Sequence, residues 1–500
     1  MSNVSAQAPL PGAARSASPG FLRRFTVLLD APRELWLLFA IKFIAVAAYG
    51  ITISTLKLWL SSDFGYSDQQ ALGIVGIWSL LMTVATVMVG SLADAIGLRR
   101  TFFIGVWLCI LARGVMAFTN MRVVALAAGL APLAIGEALG TPVMVAAVRR
   151  YSNTRQRSIS FSIFYAMMNV GFLIASLLFD SVRNAFGEHG HFHVPLVGSS
   201  ISTYRTLFLV GLGMEVSLIP LVYFLRDGAE ATDEGLVINP RKEKRKGLGV
   251  WRSIVQALSE TARETGRLLA GLVKQDGFYR LIAFLMLIAF LKLIMMQMEY
   301  VFPTFGIRVL GEGAPVGKLW AINSALIIFL VPLVGALTQR FRAYGMVTVG
   351  GIISAVSVFI MALPPAWFSG MANSSTSHWL ASKFLGLHGF IHPYYVMIVF
   401  FVILLSVGEA FYSPRVYEYA ASIAPRGQET SYSSLSYVPF LLAKLLIATL
   451  SAKLLAVYCP AQGPRNSPMM WLVVAITASI APIGLIAFRK YIRVREAGRE

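Results

Sequence analysis

The sequence predicts an all-α membrane protein, with twelve transmembrane helices in two six-helix bundles, and three observations carry that expectation. Hydrophobic residues make up 57% of the 500 and charged residues only 13%, with a mean hydropathy of +0.69, outside the balance of a soluble globular chain. Apolar windows of about 20 residues, long enough for a helix to cross a hydrocarbon core of roughly 30 Å, recur twelve times. Six fall on each side of a polar middle stretch, the arrangement expected of duplicated halves.

Residues 1–33 open with MSNVSAQAPLPGAARSASPG, which lacks an apolar core with a small-residue cleavage site behind it. It is expected to be a disordered cytoplasmic arm rather than a secretory signal. Residues 34–225 form the expected first bundle, with spans at about 35–60, 70–92, 101–119, 123–148, 158–182 and 204–225. Residues 226–280 form a linker, acidic at Asp227, Glu230, Asp233 and Glu234 and basic at RKEKRK (241–246). In its second part Trp251, Ile254, Val255, Leu258 and Leu269 fall on one helical stripe, which predicts an amphipathic helix on the cytoplasmic membrane face. Residues 281–488 form the second bundle, with spans at about 281–308, 317–338, 345–363, 394–422, 432–457 and 468–488. Residues 489–500 are a basic tail.

A formal charge of +19 has meaning only through its distribution. Lys and Arg concentrate in the N-terminal arm, the even-numbered connections and the tail. This is the positive-inside bias of a membrane protein with both termini cytoplasmic, in a plasma or bacterial inner membrane. Nucleic acid is not an expected partner; the lipid bilayer is. Cys109 lies in a span and Cys459 in a connection, which gives no disulfide framework and no metal-ligand spacing. His189, His191 and His193 alternate in EHGHFHVP (188–195), but without a distant fourth ligand the segment reads as a solvent loop. Asn373-Ser374-Ser375 resembles a glycosylation acceptor, relevant only in a eukaryotic secretory route. No nucleophile with an adjacent base and no phosphate cradle is evident, so the chain is read as a non-enzyme with no cofactor and no metal, acting as a monomer on a small-molecule substrate.

The second span ends in GSLADAIGLRR (90–100), and the eighth ends in the related GALTQRFRAYG (335–345). In the first copy Gly90 allows close helix approach, Asp94 can accept hydrogen bonds from a neighbouring helix end, Gly97 permits a tight turn, and Arg99 and Arg100 stay in the cytoplasm. The string resembles the Gly-x-Leu-x-Asp-x-x-Gly-x-Arg-Arg/Lys motif of the major facilitator superfamily. That resemblance implies the major facilitator fold, with alternating access gated around these five residues.

Three further stretches resemble the proton-coupled oligopeptide transporters within that superfamily. Gly408-Glu409 followed by Ser413-Pro414 is similar to the family's tenth-helix motif; Phe164, Tyr165, Asn169 and Gly171 match its fifth-helix pattern; Asn323 and Pro332 match its eighth. The first-helix Glu-x-x-Glu-Arg is missing, since Ile41, Ile44 and Ala45 stand there when Tyr49-Gly50 is aligned, and Thr141 replaces the fourth-helix Lys. The resemblance implies a peptide-like solute moved with protons; an uncoupled facilitator or exporter of amphiphiles, or a non-transporting receptor, is the alternative.

Ionisable groups inside spans are costly and therefore candidates for function or for structural pairing. The acids are Glu137, Glu215, Glu299 and Glu409; the bases are Lys42, Arg113, Lys292 and Lys444, with Lys57 and Lys453 near outer ends where they could snorkel. Lys292 and Glu299 stand two turns apart on one helical face. Arg113 and Glu215 are read as structural. Tyr49, Glu137, Tyr165, Asn169, Lys292, Asn323 and Glu409 are the expected substrate contacts, and Glu299, Glu137 and Glu409 the expected proton-coupling residues, with Glu299 as carrier and Glu409 gripping a substrate amine.

Overall fold

The computed structural model describes residues 28–238 and 276–493, apart from 154–155, 196–197, 233, 339–340 and 424–437, and also Ser259 and Arg263. The expected arm, the linker's amphipathic helix and most of the basic tail lie outside the described residues. Twelve long helices are present among those described: α1 (Arg33–Phe64), α2 (Asp68–Ile96), α3 (Leu98–Phe118), α4 (Arg122–Tyr151), α5 (Arg157–Phe186), α6 (Thr203–Tyr223), α7 (Asp276–Tyr300), α8 (Val316–Leu337), α9 (Ala343–Ala362), α10 (Pro393–Ile423), α11 (Val438–Tyr458) and α12 (Ser467–Ala487). Eleven are long and apolar enough, over their described residues, to cross a membrane; in α11 only the apolar stretch Thr449–Tyr458 qualifies as a shorter helix. Large apolar side chains such as Trp107, Leu111, Phe329, Val356 and Ile483 point outward from them, as the lipid-facing side of a span requires.

The helices pack in a pattern that repeats between the halves. In the first, α1 lies on α5 and α6, α3 on α4 and α6, and α2 on α4. In the second, α7 lies on α11 and α12, α9 on α10 and α12, and α8 on α10. Each contact of the first set has its counterpart six helices later. The halves meet chiefly where α2 packs on α11 and α5 on α8, two contacts that exchange under the same relation.

Two short antiparallel hairpins interrupt the helical order. β1 (His191–Val194) pairs with β2 (Ser199–Ser202), His193 opposite Ser200. The stretch read as a solvent loop is thus a strand, with His191 and His193 exposed on one side of it. β3 (Ala229–Thr232) pairs with β4 (Gly235–Ile238) in the acidic start of the linker, where the tight turn uses Gly235 at φ 131°.

Candidate functional site: buried charges in and between two matched halves

Glycines set the closest helix contacts. A Cβ on Gly136 of α4 would lie 2.6 Å from the Cys109 sulfur and 3.0 Å from the Gly105 carbonyl of α3. In the second half, a Cβ on Gly408 of α10 would lie 2.3 Å from the Ser354 hydroxyl and 2.8 Å from the Gly350 carbonyl of α9. Each close approach seats the next residue, Glu137 or Glu409, in its half of the chain. The sequences around them match: GEALGTP at 136–142 and GEAFYSP at 408–414. That repeat is the sequence signal that makes Glu137 and Glu409 counterparts.

Their surroundings differ. Arg113 of α3 is fully buried and donates from Nη2 to Glu137 Oε1 at 2.6 Å and from Nη1 to Glu215 Oε1 of α6 at 3.0 Å. It also donates from Nη2 to the Thr52 hydroxyl of α1 at 3.2 Å. Lys42 of α1 lies within Coulombic reach of Glu137, with its ammonium 4.7 Å above the Phe164 ring. A cavity of about 220 Å³ opens beside this cluster, inside the first half, and Tyr49, Thr86, Cys109, Glu137 and Glu215 line it among apolar side chains.

Glu409 has no such cation at the corresponding place. Val358 stands as far beyond Gly350 as Arg113 stands beyond Gly105, and α9 and α12 carry no Asp, Glu, Lys or Arg. Instead the Asn323 amide of α8 donates to Glu409 Oε2 at 3.1 Å and to the Ser406 hydroxyl at 3.0 Å. The two residues that sequence matching singled out on α8 and α10 are therefore brought together. Lys292 of α7 holds its ammonium 5.4 Å above the Tyr412 ring of α10.

Tyr49 bridges the regions. Its ring stacks on Trp78 and meets Phe172 edge-on, and its hydroxyl lies within electrostatic reach of Glu137 in its own half and of Glu299 and Tyr300 in the other. Tyr165 packs from α5 against an apolar cluster of α8 and α10 that contains Ile327 and Ala410. The Asn169 amide donates to the Tyr165 carbonyl at 3.0 Å, within α5.

At the face that carries the α1–α2 turn, the halves are latched twice. Asp68 at the start of α2 pairs with Lys57 at 2.6 Å and accepts two hydrogen bonds, at 2.7 and 3.0 Å, from Arg308, which follows α7. Lys57 is thus buried in an ion pair, and does not snorkel as its position near a helix end predicts: the next helix and the opposite half both reach it. Asp180 of α5 accepts from the backbone N–H groups of Gly317 and Lys318 at 3.0 and 2.6 Å, satisfying the free donors at the start of α8. Gly317 permits the approach, since a Cβ there would lie 2.2 Å from the Ser176 carbonyl. Arg183 extends this latch to Asp180, to the Ala314 carbonyl and to Glu188. Burial alone would push the Glu188 carboxyl up; hydrogen bonds from Arg183 and Tyr204, with the Arg183 charge, outweigh it and hold the group below the usual carboxylate range. Asp180, Arg183, Asp68 and Arg308 do not stand out in the sequence because all four lie near helix ends, where charge is ordinary.

At the opposite face, which carries the linker, Gly97 turns between α2 and α3 at φ 91°. Arg99 lies over the rings of Tyr223 and Phe103 at 5.2 and 5.8 Å, and Arg100 is exposed. Gly90 and Asp94 belong to the helical course of α2, with Asp94 among side chains outside the described residues.

Twelve long helices, eleven of them apolar enough to cross a membrane, with contacts that repeat between the halves, define a polytopic membrane protein. The profile of the Major Facilitator Superfamily matches residues 38–381. The chain belongs to that superfamily and is a secondary transporter. Its fold is also that of solved oligopeptide transporter structures. One is a peptide transporter of the POT family in complex with sulfate, at 18% identity and TM-score 0.63, covering 94% of this chain and 98% of that one. Another is a POT family transporter in complex with 5-aminolevulinic acid, at 16% identity and TM-score 0.66, covering 92% and 97%. A third is a POT family transporter in complex with a thioalcohol-conjugated peptide, at 16% identity and TM-score 0.67, covering 93% and 97%. No curated protein matches the chain.

Proposed function

We propose that this protein is a proton-coupled symporter of small peptide-like zwitterions. Its twelve helices form two six-helix bundles, with substrate bound between them near the midplane and exposed alternately to each side. Both termini and the linker face are cytoplasmic, in line with the Lys and Arg distribution. The latches of Asp68–Arg308 and Asp180–α8 then lie on the outer side, and the conformation described is closed there. Gly90, Asp94, Gly97, Arg99 and Arg100 gate the cytoplasmic side. Glu409 grips the substrate amine, with Tyr49, Glu137, Tyr165, Asn169, Lys292 and Asn323 as further contacts. Glu299 carries the proton, and Glu137 and Glu409 are the other carboxylates available to it.

The observation that carries this reading is the Asn323–Glu409 pair, a buried carboxylate held by an amide and without the guanidinium that neutralises Glu137. Support also comes from the shared fold with transporters solved with 5-aminolevulinic acid and with a peptide conjugate. The test is uptake of a dipeptide into proteoliposomes. Glu299→Gln should abolish accumulation driven by a pH gradient yet leave counterflow exchange, whereas Glu409→Gln should lower both by weakening binding. Accumulation by the unaltered protein that ignores the pH gradient would overturn the coupling and leave facilitated diffusion.

A further inference from the structure

The two halves present unlike surfaces where their helices end on the linker face. In the first half the acidic hairpin β3–β4 packs on α4, and basic and acidic residues nearly cancel, eight to seven over 30–34, 94–100, 149–157 and 226–234. In the second half six basic residues stand against only Asp276 and Glu418 over 276–280, 341–345, 411–423 and 488–493. A positive-inside bias orients the chain as a whole; it does not require one half to hold the excess.

That excess meets lipid-facing apolar surface at the end of α12. Ile476, Ile480, Ile483 and Ile486 are exposed at helical spacing, a stripe that leads down α12 to the exposed rings of Phe488 and Tyr491. Alongside lies α7, brought close at Gly484, where a Cβ would lie 2.3 Å from the Leu287 side chain. On its own exposed side α7 shows Tyr279 and Met286. The stripe ends in a short helical turn, Arg489–Ile492. Ile492 is buried and its carbonyl accepts from the Tyr419 hydroxyl at 2.7 Å, which anchors the turn on the second half and leaves Arg489 and Lys490 exposed. Neither cation pairs with an acid among the described residues. Aliphatic side chains, then aromatic rings, then guanidinium and ammonium donors follow the order of parts in a phospholipid: acyl chain, glycerol, phosphate. The surplus of positive charge selects a headgroup with net negative charge.

We infer that the α7–α12 edge at the linker face binds an anionic phospholipid, its acyl chain on the isoleucine stripe and its phosphate on Arg489 and Lys490. The site stands on the membrane-spanning fold and the charge of this face, independent of the peptide reading. The test is native mass spectrometry of the full chain from micelles doped with phosphatidylglycerol or with phosphatidylcholine of matched acyl chains. Phosphatidylglycerol should bind at least about tenfold more tightly, with a preference that shrinks as salt is raised. Arg489→Gln combined with Lys490→Gln should weaken it by about tenfold or more, since each basic residue near an anionic surface contributes about fivefold. Arg489→Lys, which keeps the charge, should bind like the parent. Arg149→Gln combined with Arg150→Gln removes the same charge from the first half and should leave binding unchanged. The inference is overturned if the two lipids bind alike, if the Arg489→Gln, Lys490→Gln variant binds like the parent, or if the first-half variant is weakened as much. Displacement of the lipid by an equal concentration of soluble glycerol phosphate would also overturn it, marking a site for free phosphate.

Discussion

The Gly-Glu step of α4 and the Gly-Glu step of α10 begin from one sequence pattern and one packing device. Gly136 presses α4 onto α3, Gly408 presses α10 onto α9, and in each case the carboxylate that follows is carried into its half. The halves then diverge in the side chain that receives it. In the first, an arginine of α3 joins acids of α4 and α6; in the second, a single amide receives one acid, with Val358 where the arginine would be. A guanidinium between carboxylates is a rigid, fully charged joint. An amide donor holds a carboxylate without neutralising it, leaving its charge available to a ligand. The comparison teaches that duplication supplies two equivalent acids and that the partner opposite each sets how its charge is met inside its half.

The largest break in that comparison should come from Arg113. Arg113→Met would leave Glu137 and Glu215 buried without their cation, and removing one partner of a buried pair costs about 3–5 kcal/mol. Thermal unfolding in detergent should register a large drop in midpoint, and the triple change Arg113→Met, Glu137→Gln, Glu215→Gln should recover most of it. A triple variant no more stable than Arg113→Met would mean that Arg113 acts through packing rather than charge.

Next in size is the glycine pair. Gly408→Val drives a branched side chain into a gap where even a Cβ would lie 2.3 Å from the Ser354 hydroxyl; overpacking of this kind costs about 1–3 kcal/mol. Gly136→Val should cost a similar amount against Cys109. Equal losses would support the equivalence of the two steps, whereas a neutral Gly408→Val would show that α9 and α10 can separate freely.

Asn323→Leu should have a smaller effect on stability, about 1–2 kcal/mol for one buried hydrogen bond to a charged group, but a large one on dipeptide binding, because it frees Glu409 to turn away. Unchanged affinity in a binding titration would remove Asn323 from the site.

Much of this is legible in the sequence, for identifiable reasons. Spans announce themselves because lipid demands about 20 apolar residues in a row, and over the described residues each expected window overlaps a helix, eleven of them long and apolar enough to cross a membrane. Family resemblance singles out Asn323 and Glu409 one by one, but their pairing is read only from the structure. What stays hidden are relations among helices. Nothing near Arg113 says that it will face acids on both α4 and α6, since those contacts join positions far apart in the chain. Lys57 looks water-facing because its burial depends on Asp68 and Arg308, one from the next helix and one from the opposite half. The hairpin of His191–Ser202 escapes notice because its strands are four residues each and polar, too short for alternation to be read.

The smallest expected effect concerns the latched face, where the halves touch instead of mirroring each other. Glu188 has a depressed carboxyl pKa, held down by Arg183 and Tyr204 against the contrary pull of burial. A depressed carboxylate contributes stability that is fully present above its unfolded value, about 4.3, and is lost as pH falls through the folded value. The latch should therefore be indifferent to pH between 6 and 8 and loosen only in strongly acidic medium. Glu188→Gln should remove that acid sensitivity, with little loss at neutral pH because the amide oxygen can still accept from Arg183 and Tyr204. The readout is labelling of a cysteine introduced at Gly313, beside Glu188, by a membrane-impermeant thiol reagent across a pH series. Labelling that rises already between pH 8 and 6 in the parent protein would mean that another group controls the latch.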